Sequence, residues 1–102
     1  MKSDYKHVVL NAADNIAVAL DEIPAGAKLS VKISESCVHL RILDSIEFGH
    51  KFAVRPIAKG DDILKYGEVI GRATADIPAG AHVHVHNLEG KRGRGDLLEA
   101  AN

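Results

Sequence analysis

The sequence has little of several residue types, and each shortage excludes a class of protein. Among its 102 residues there are one cysteine, no tryptophan, two tyrosines and two phenylalanines. A single cysteine cannot form an intrachain disulfide or a multi-cysteine zinc site, and it is typical of a reducing compartment. We expect Cys37 to be a small buried residue, and we predict a cytoplasmic protein.

An excess of charge of one sign and a long hydrophobic run are also absent. The 13 Lys and Arg residues nearly balance the 14 Asp and Glu residues, for a net charge of -1. Nucleic-acid binding needs a basic surface, and stacking on bases needs aromatics. No apolar run approaches the roughly 18 residues of a membrane span, and the N-terminus has no signal-peptide core. We predict neither nucleic acid nor membrane as a partner.

The composition that remains is that of one small globular domain. Hydrophobic residues make up 46% of the chain and charged residues 26%. We predict a domain over residues 1–90 and a basic, flexible C-terminal tail over residues 91–102, which begins KRGRG. A core of this size is thin, so association with a protein partner or as a homo-oligomer stays open.

A short phrase recurs along the chain. IPAGA occurs at residues 23–27 and 77–81, and the looser pattern Ile-x-x-Gly-x-x-apolar occurs four times, beginning at Ile23, Ile46, Ile57 and Ile77. Proline presets φ for a turn, and glycine supplies the positive φ that such a turn often needs. Each copy predicts a turn that leads into a strand.

Alternation of apolar and polar residues predicts the strands themselves. Leu29 to Ile33 and Val38 to Ile42 alternate around Ser34-Glu35-Ser36, which predicts a hairpin. Further strands are expected at residues 7–10, 16–20, 52–54, 63–66, 68–70 and 81–86, with bends or bulges at Gly67 and Gly71. No window of ten residues keeps a helical period, so the predicted class is all-β, a compact fold of short strands and recurrent tight turns.

The segment HVHVHN, residues 82–87, is the sharpest local pattern. On a strand its three histidines share one face about 6.5 Å apart, while Val83 and Val85 face the core. Three imidazoles on a straight strand cannot reach one ion, so we predict His84 and His86 as metal ligands completed by His50, His7 or a partner protein. Two ligands bind weakly, so we expect little metal affinity in the chain alone. The alternative is the solvent face of an ordinary strand.

Other side chains are candidates for acid–base chemistry or for binding. His50 follows Gly49 in the second turn phrase, where the other copies have Ala27, Asp61 and Ala81, so the turn itself does not demand histidine. The predicted catalytic residues are His50, Lys51 and His86. The predicted substrate-binding residues are Asn15, Lys65, Tyr66 and Asn87, although Asn87 could instead cap the strand end. Exposed polar turns are the alternative.

Four segments together resemble a known family. DNIAVAL (14–20), GHKFAV (49–54), KYGEVIGRA (65–73) and HVHVHN resemble, in order and spacing, the SAF domain that begins altronate and galactarate dehydratases. The resemblance extends over about residues 7–95. It implies a β-clip fold, which is small, bent and mostly antiparallel.

The resemblance also implies a chemistry and a partner. In that family the domain is fused to a large catalytic domain or made as a small subunit, and a chain that ends soon after RGRGD resembles the small-subunit form. The implied reaction is elimination of water from a sugar acid, with a divalent metal ion, expected to be iron, held mainly by a large catalytic dehydratase subunit. A related small subunit serves a sulfolactate sulfo-lyase. A non-catalytic, ligand-binding SAF module is the other alternative.

Overall fold

The computed structural model describes residues 5–90, and this range folds entirely as strands, turns and bends. The strands are β1 (His7–Val8), β2 (Ile16–Ala19), β3 (Lys28–Ile33), β4 (Ser36–Arg41), β5 (Lys51–Ala53), β6 (Asp62–Lys65), β7 (Glu68–Ala73), β8 (His82–Val83) and β9 (Leu88–Gly90). Within this range there is no helix long and apolar enough to cross a membrane. The all-β prediction is confirmed, while the predicted tail over 91–102 lies outside the described residues.

Three small antiparallel sheets form a layered core. The central sheet has the order β1-β2-β5-β8, and it is joined by the β3-β4 hairpin and a β6-β7-β9 sheet. In the central sheet Ala17 pairs with Phe52, and both belong to a buried cluster that includes residues of β3. Ile16 pairs with Ala53, and both belong to a second buried cluster that includes residues of β6 and β7. The central sheet is therefore buried on both faces, by the hairpin on one and by the three-stranded sheet on the other.

The recurrent phrase forms the corners of the fold. Its four isoleucines pair as Ile23 with Ile46 and Ile57 with Ile77, and all four are buried. Each phrase turns at a glycine with a φ near +90° and then enters a strand, which is β3, β5, β6 or β8. At Gly80 a side chain would also collide with the carbonyl oxygen of Arg41. The predicted turn-to-strand role of the phrase is confirmed.

The predicted hairpin is present with the expected faces. Leu29, Val31 and Ile33 are buried and alternate with exposed residues, and the chain reverses at Ser34, which has a φ of 56°. Cys37 lies on β4 and is exposed, so the expectation that it is buried is wrong. The physical reason is the alternation of a strand, because on β4 Val38 and Leu40 pack inward and Cys37 lies on the opposite face.

The strand predicted over residues 81–86 is shorter than expected. Only His82 and Val83 form β8, and the chain then turns because the N–H groups of Asn87 and Leu88 donate to the His84 carbonyl at 3.0 and 2.9 Å. Val83 is fully buried, whereas Val85 is 80% exposed. The expectation that both valines face the core is therefore wrong for Val85.

Candidate functional site

Strand pairing at one end of the central sheet brings four histidines together. In the β5-β8 pair Lys51 lies opposite Val83 and Phe52 opposite His82. Continuing this register by one step places His50 opposite His84, on the face that Phe52 and His82 share, because directly opposed residues point to the same side. His86 lies within the turn after β8 and stacks against His82. We call His50, His82, His84 and His86 the histidine cluster.

The rings of the histidine cluster are stacked. The centroids of His50 and His84 are 4.5 Å apart with an interplanar angle of 14°, and those of His82 and His86 are 5.3 Å apart at 29°. The Nδ1 atom of His50 and the Nε2 atom of His82 are 2.9 Å apart, which is a hydrogen bond. One nitrogen must donate and the other must accept, so the accepting ring carries no proton at that atom.

Burial and neighbouring imidazoles disfavour the charged form of His82. Burial lowers the pKa of His82 from its usual 6.5, and the nearby rings of His50, His86 and His84 lower it further. The Asp44 carboxylate acts in the opposite direction; one of its oxygens accepts the backbone N–H of His82 at 3.0 Å. Because the lowering effects prevail, His82 is mainly neutral at pH 7, the form that can accept a proton or bind a metal ion.

The turn that follows β8 is held by Asn87. The side-chain nitrogen of Asn87 donates to the His82 carbonyl at 2.9 Å, and its side-chain oxygen accepts the His84 N–H at 3.0 Å. Only 9% of the residue is exposed. Asn87 thus caps the strand end, which is one of its two predicted roles, and it fixes the relative positions of two histidines.

Three members of the histidine cluster are placed as metal ligands would be. His50, His82 and His84 each offer one ring nitrogen, and these atoms lie within 4.8 Å of one another. His86, a predicted ligand, is outside this set of three, and His82 takes its place. His7, another candidate, packs instead edge-on against Phe52 with ring centroids 6.0 Å apart. His50, from the strand pair, supplies the third ligand that the HVHVHN segment by itself lacks.

The predicted lysines lie on the other face of the central sheet. Lys51 pairs with Val83, whose side chain belongs to the second buried cluster, so Lys51 points away from the face of His82. Burial lowers the pKa of Lys51 from 10.5, and the charge of Lys65 lowers it further. The Nζ atom of Lys65 is 5.2 Å from the centre of the Tyr66 ring. The candidate residues therefore form two separate groups.

Two side chains hold β6 and the Tyr66–Gly67 turn that follows it. Asp14, which is 1% exposed, accepts the backbone N–H groups of Tyr66 at 2.9 Å and of Gly67 at 2.8 Å. Asn15 donates to the Asp62 carbonyl and accepts the Leu64 N–H. Both polar atoms of Asn15, a predicted substrate ligand, are thus used to hold β6. Asp14 was missed because an isolated acidic residue before a strand carries no pattern that indicates burial.

Comparisons with known proteins agree on one family. The family model described as the altronate/galactarate dehydratase SAF domain matches residues 5–91. The altronate dehydratase of Escherichia coli (strain K12) is 46% identical over 82 residues, which are 80% of this chain and 16% of that protein. The altronate dehydratase of Bacillus subtilis (strain 168) is 40% identical over 89 residues, again 16% of that protein. The chain thus spans a small part of these relatives.

A different relative is matched over most of its length. The (2R)-sulfolactate sulfo-lyase subunit alpha of Chromohalobacter salexigens is 38% identical over 88 residues, which are 83% of this chain and 94% of that subunit. The same domain type therefore occurs both as a small part of a long protein and as nearly all of a short one.

Proposed function

The chain belongs to the altronate/galactarate dehydratase SAF domain family, and on that premise we propose that it is the small, accessory part of a sugar-acid hydro-lyase. The histidine cluster is the observation that supports this proposal most strongly. The turns and the alternating strands of the fold need no histidine, yet four imidazoles meet at one sheet end. Such a cluster suits proton transfer next to a bound substrate.

Elimination of water next to a carboxylate has three chemical needs. A base removes the proton at the α carbon, a cation stabilises the negative charge that develops on the carboxylate, and an acid protonates the leaving hydroxyl. We propose that a divalent metal ion, expected to be iron, supplies the cation. The remaining groups come from this chain and from a large catalytic partner subunit, which work together in the cytoplasm.

The histidine cluster can hold and move the protons. Because His50 and His82 share a hydrogen bond of 2.9 Å, a proton can pass from one ring to the other. His86 stacks on His82 at the exposed side of the cluster, so it is placed to reach a substrate in the cleft between this domain and its partner. We assign acid–base roles to His50 and His86, and we add His82.

The lysines lie on the other face of the sheet and suit a different task, which is binding of an anionic group away from the reacting carbon. Lys51 is half-buried, and no acidic side chain among residues 5–90 contributes to its pKa shift. An anion placed between Lys51 and Lys65 would relieve their repulsion, and the Tyr66 hydroxyl could donate to it. We therefore propose binding rather than proton transfer for Lys51. Asn15 and Asn87 act as positioning residues.

A second candidate function is supported by the match along the chain. The chain covers 94% of a protein named as subunit alpha of a sulfolactate sulfo-lyase. In that case the leaving group is sulfite in place of water, and the same acid–base and cationic groups would serve. The two candidates differ in the partner and the leaving group, not in the site proposed here.

A chimaera tests the first candidate. The region of the Escherichia coli altronate dehydratase that matches this chain is replaced by residues 5–90 of this chain, and the dehydration of altronate is measured. We expect turnover by the chimaera and none by the isolated chain. His86→Ala in the chimaera should lower kcat by about tenfold or more, whereas His39→Ala, whose exposed ring contacts Ser30 in the hairpin, is the matched control and should not.

The parallel experiment tests the second candidate. The chain replaces subunit alpha in the Chromohalobacter salexigens enzyme, and release of sulfite from sulfolactate is measured. Turnover in only one of the two assays assigns the leaving group. If the folded chimaera and the folded subunit replacement are both inactive, the proposed role of the site is wrong. It is also wrong if His86→Ala leaves the rate of the active enzyme unchanged.

A further inference from the structure

We propose that His50, His82 and His84 form, within this chain alone, an open binding site for one divalent first-row transition-metal ion such as Zn²⁺, Co²⁺ or Fe²⁺. The inference rests on the proposed function for its catalytic meaning and refines it: with an ion bound, His50 and His82 act as ligands, and the acid–base role belongs to His86. Metal binding is measurable without turnover. It reverses the expectation of weak binding drawn from a His-x-His pair, because strand pairing supplies a third imidazole.

Topology explains why these three rings are held together before any ion arrives. The β5-β8 pairing places His82 across from Phe52, and one step beyond its last pair the rings of His50 and His84 stack with centroids 4.5 Å apart. The positive-φ turn at Gly49 and the Asn87 side chain fix the backbone on either side. Little conformational freedom therefore remains to be lost when a metal ion binds, which favours binding.

The separations of the ring nitrogens agree with this assignment. With metal–nitrogen bonds of about 2.0–2.1 Å, two ligands of one ion lie roughly 3–3.5 Å apart. The His50 and His82 nitrogens are 2.9 Å apart, and all three ligand nitrogens lie within 4.8 Å of one another. On binding, the hydrogen bond between His50 and His82 is given up, and the donating ring carries its proton on its other nitrogen.

The chemistry of the donor set selects the class of ion. The set contains three imidazoles and no carboxylate or thiolate. Imidazole suits zinc, copper, iron and nickel, whereas magnesium and calcium prefer oxygen ligands. Three protein ligands leave at least one coordination position free, which is the arrangement of catalytic rather than structural sites. A substrate oxygen or a ligand from the partner would take that position.

Binding of Co²⁺ and Zn²⁺ to the full, untagged chain tests the proposal. We expect one ion per chain by isothermal titration calorimetry, a visible Co²⁺ absorption spectrum that Zn²⁺ abolishes, and no competition from millimolar Mg²⁺. His50→Ala, His82→Ala and His84→Ala should each weaken metal binding by about 100-fold or more. The reason is that loss of a residue that only contacts a metal ligand already lowers metal affinity by about 10–100-fold. Circular dichroism of the metal-free variants is the test that each is folded.

His39→Ala is the matched control and should bind as the unchanged chain does, while His86→Ala should weaken binding less than the three ligand variants do. Absence of a stoichiometric site, or equal loss of affinity in His86→Ala, would overturn the assignment. If the chimaera turns over but the chain binds no metal, this inference fails and the proposed function stands. If the chain binds metal but the chimaera is inactive, the proposed function fails and the site stands.

Discussion

Two segments of this chain carry the same alternation of apolar and polar residues and adopt different structures. Residues 28–33 form β3, in which Leu29, Val31 and Ile33 are all buried. Residues 82–86 alternate valine with histidine in the same way, but β8 ends at Val83 and the chain then turns. Alternation alone does not distinguish the two segments.

The difference lies in what each segment can pair with. All six residues of β3 have partners on β4, so the alternation continues for the whole strand. β8 pairs with only two residues of β5, and beyond them the Asn87 side chain takes up the His84 N–H. The β5-β8 pairing places His82 and His84 beside His50, and the turn brings His86 back against His82. The candidate site therefore depends on the pairing and on the early end of the strand.

The largest expected effect separates the two valines of the histidine segment. Val83→Asp buries a charge without a partner and should destabilise the fold by about 3–5 kcal/mol, enough to unfold a domain of marginal stability. Val85→Asp is the matched control, because Val85 is 80% exposed, and it should leave the fold unchanged. Urea denaturation followed by circular dichroism measures both. Equal sensitivity of the two positions would mean that residues 82–86 form a full strand.

A smaller effect is expected at Asn87. Asn87→Ala removes the partners of the His82 carbonyl and the His84 N–H and should lower the free energy of unfolding by about 1–2 kcal/mol. Asn15→Ala also removes two hydrogen bonds, but to β6. Both variants should be destabilised in urea, and only Asn87→Ala should weaken Co²⁺ binding. Equal Co²⁺ affinity in the two would show that the turn does not position the ligands.

The smallest expected effect is a dependence of stability on pH in the metal-free chain. The pKa of His82 is lowered in the folded state from 6.5, so below pH 6.5 the unfolded state binds more protons and the free energy of unfolding falls. Urea midpoints with a chelator should therefore decrease from pH 7.5 to 5.5. His82→Gln should reduce this decrease, whereas His39→Gln, in the hairpin, should not. If the urea midpoint of His82→Gln still falls as much between pH 7.5 and 5.5, groups other than His82 cause the dependence on pH.

Much of the fold was predictable because its signals are local. Turn phrases with glycine at the position of positive φ and the alternation at Leu29, Val31 and Ile33 predicted the corners and the hairpin correctly. Val85 and Cys37 were predicted wrongly. The turn after Val83 depends on a side chain four residues later. Cys37 lies out of phase with Val38 and Leu40 on β4, and the usual burial of cysteine was given more weight than that phase.

The amino-acid sequence by itself determined the all-β class, the four turns and the presence of an imidazole-rich segment, since φ preferences and side-chain periodicity act over a few residues. Only the tertiary structure decided which imidazoles meet. His50 and His84 are 34 positions apart in the sequence numbering, and they come together because β5 and β8 pair in one particular register. That register depends on the burial of Phe52 and Val83 on opposite faces of the sheet, a long-range packing effect that no short segment encodes.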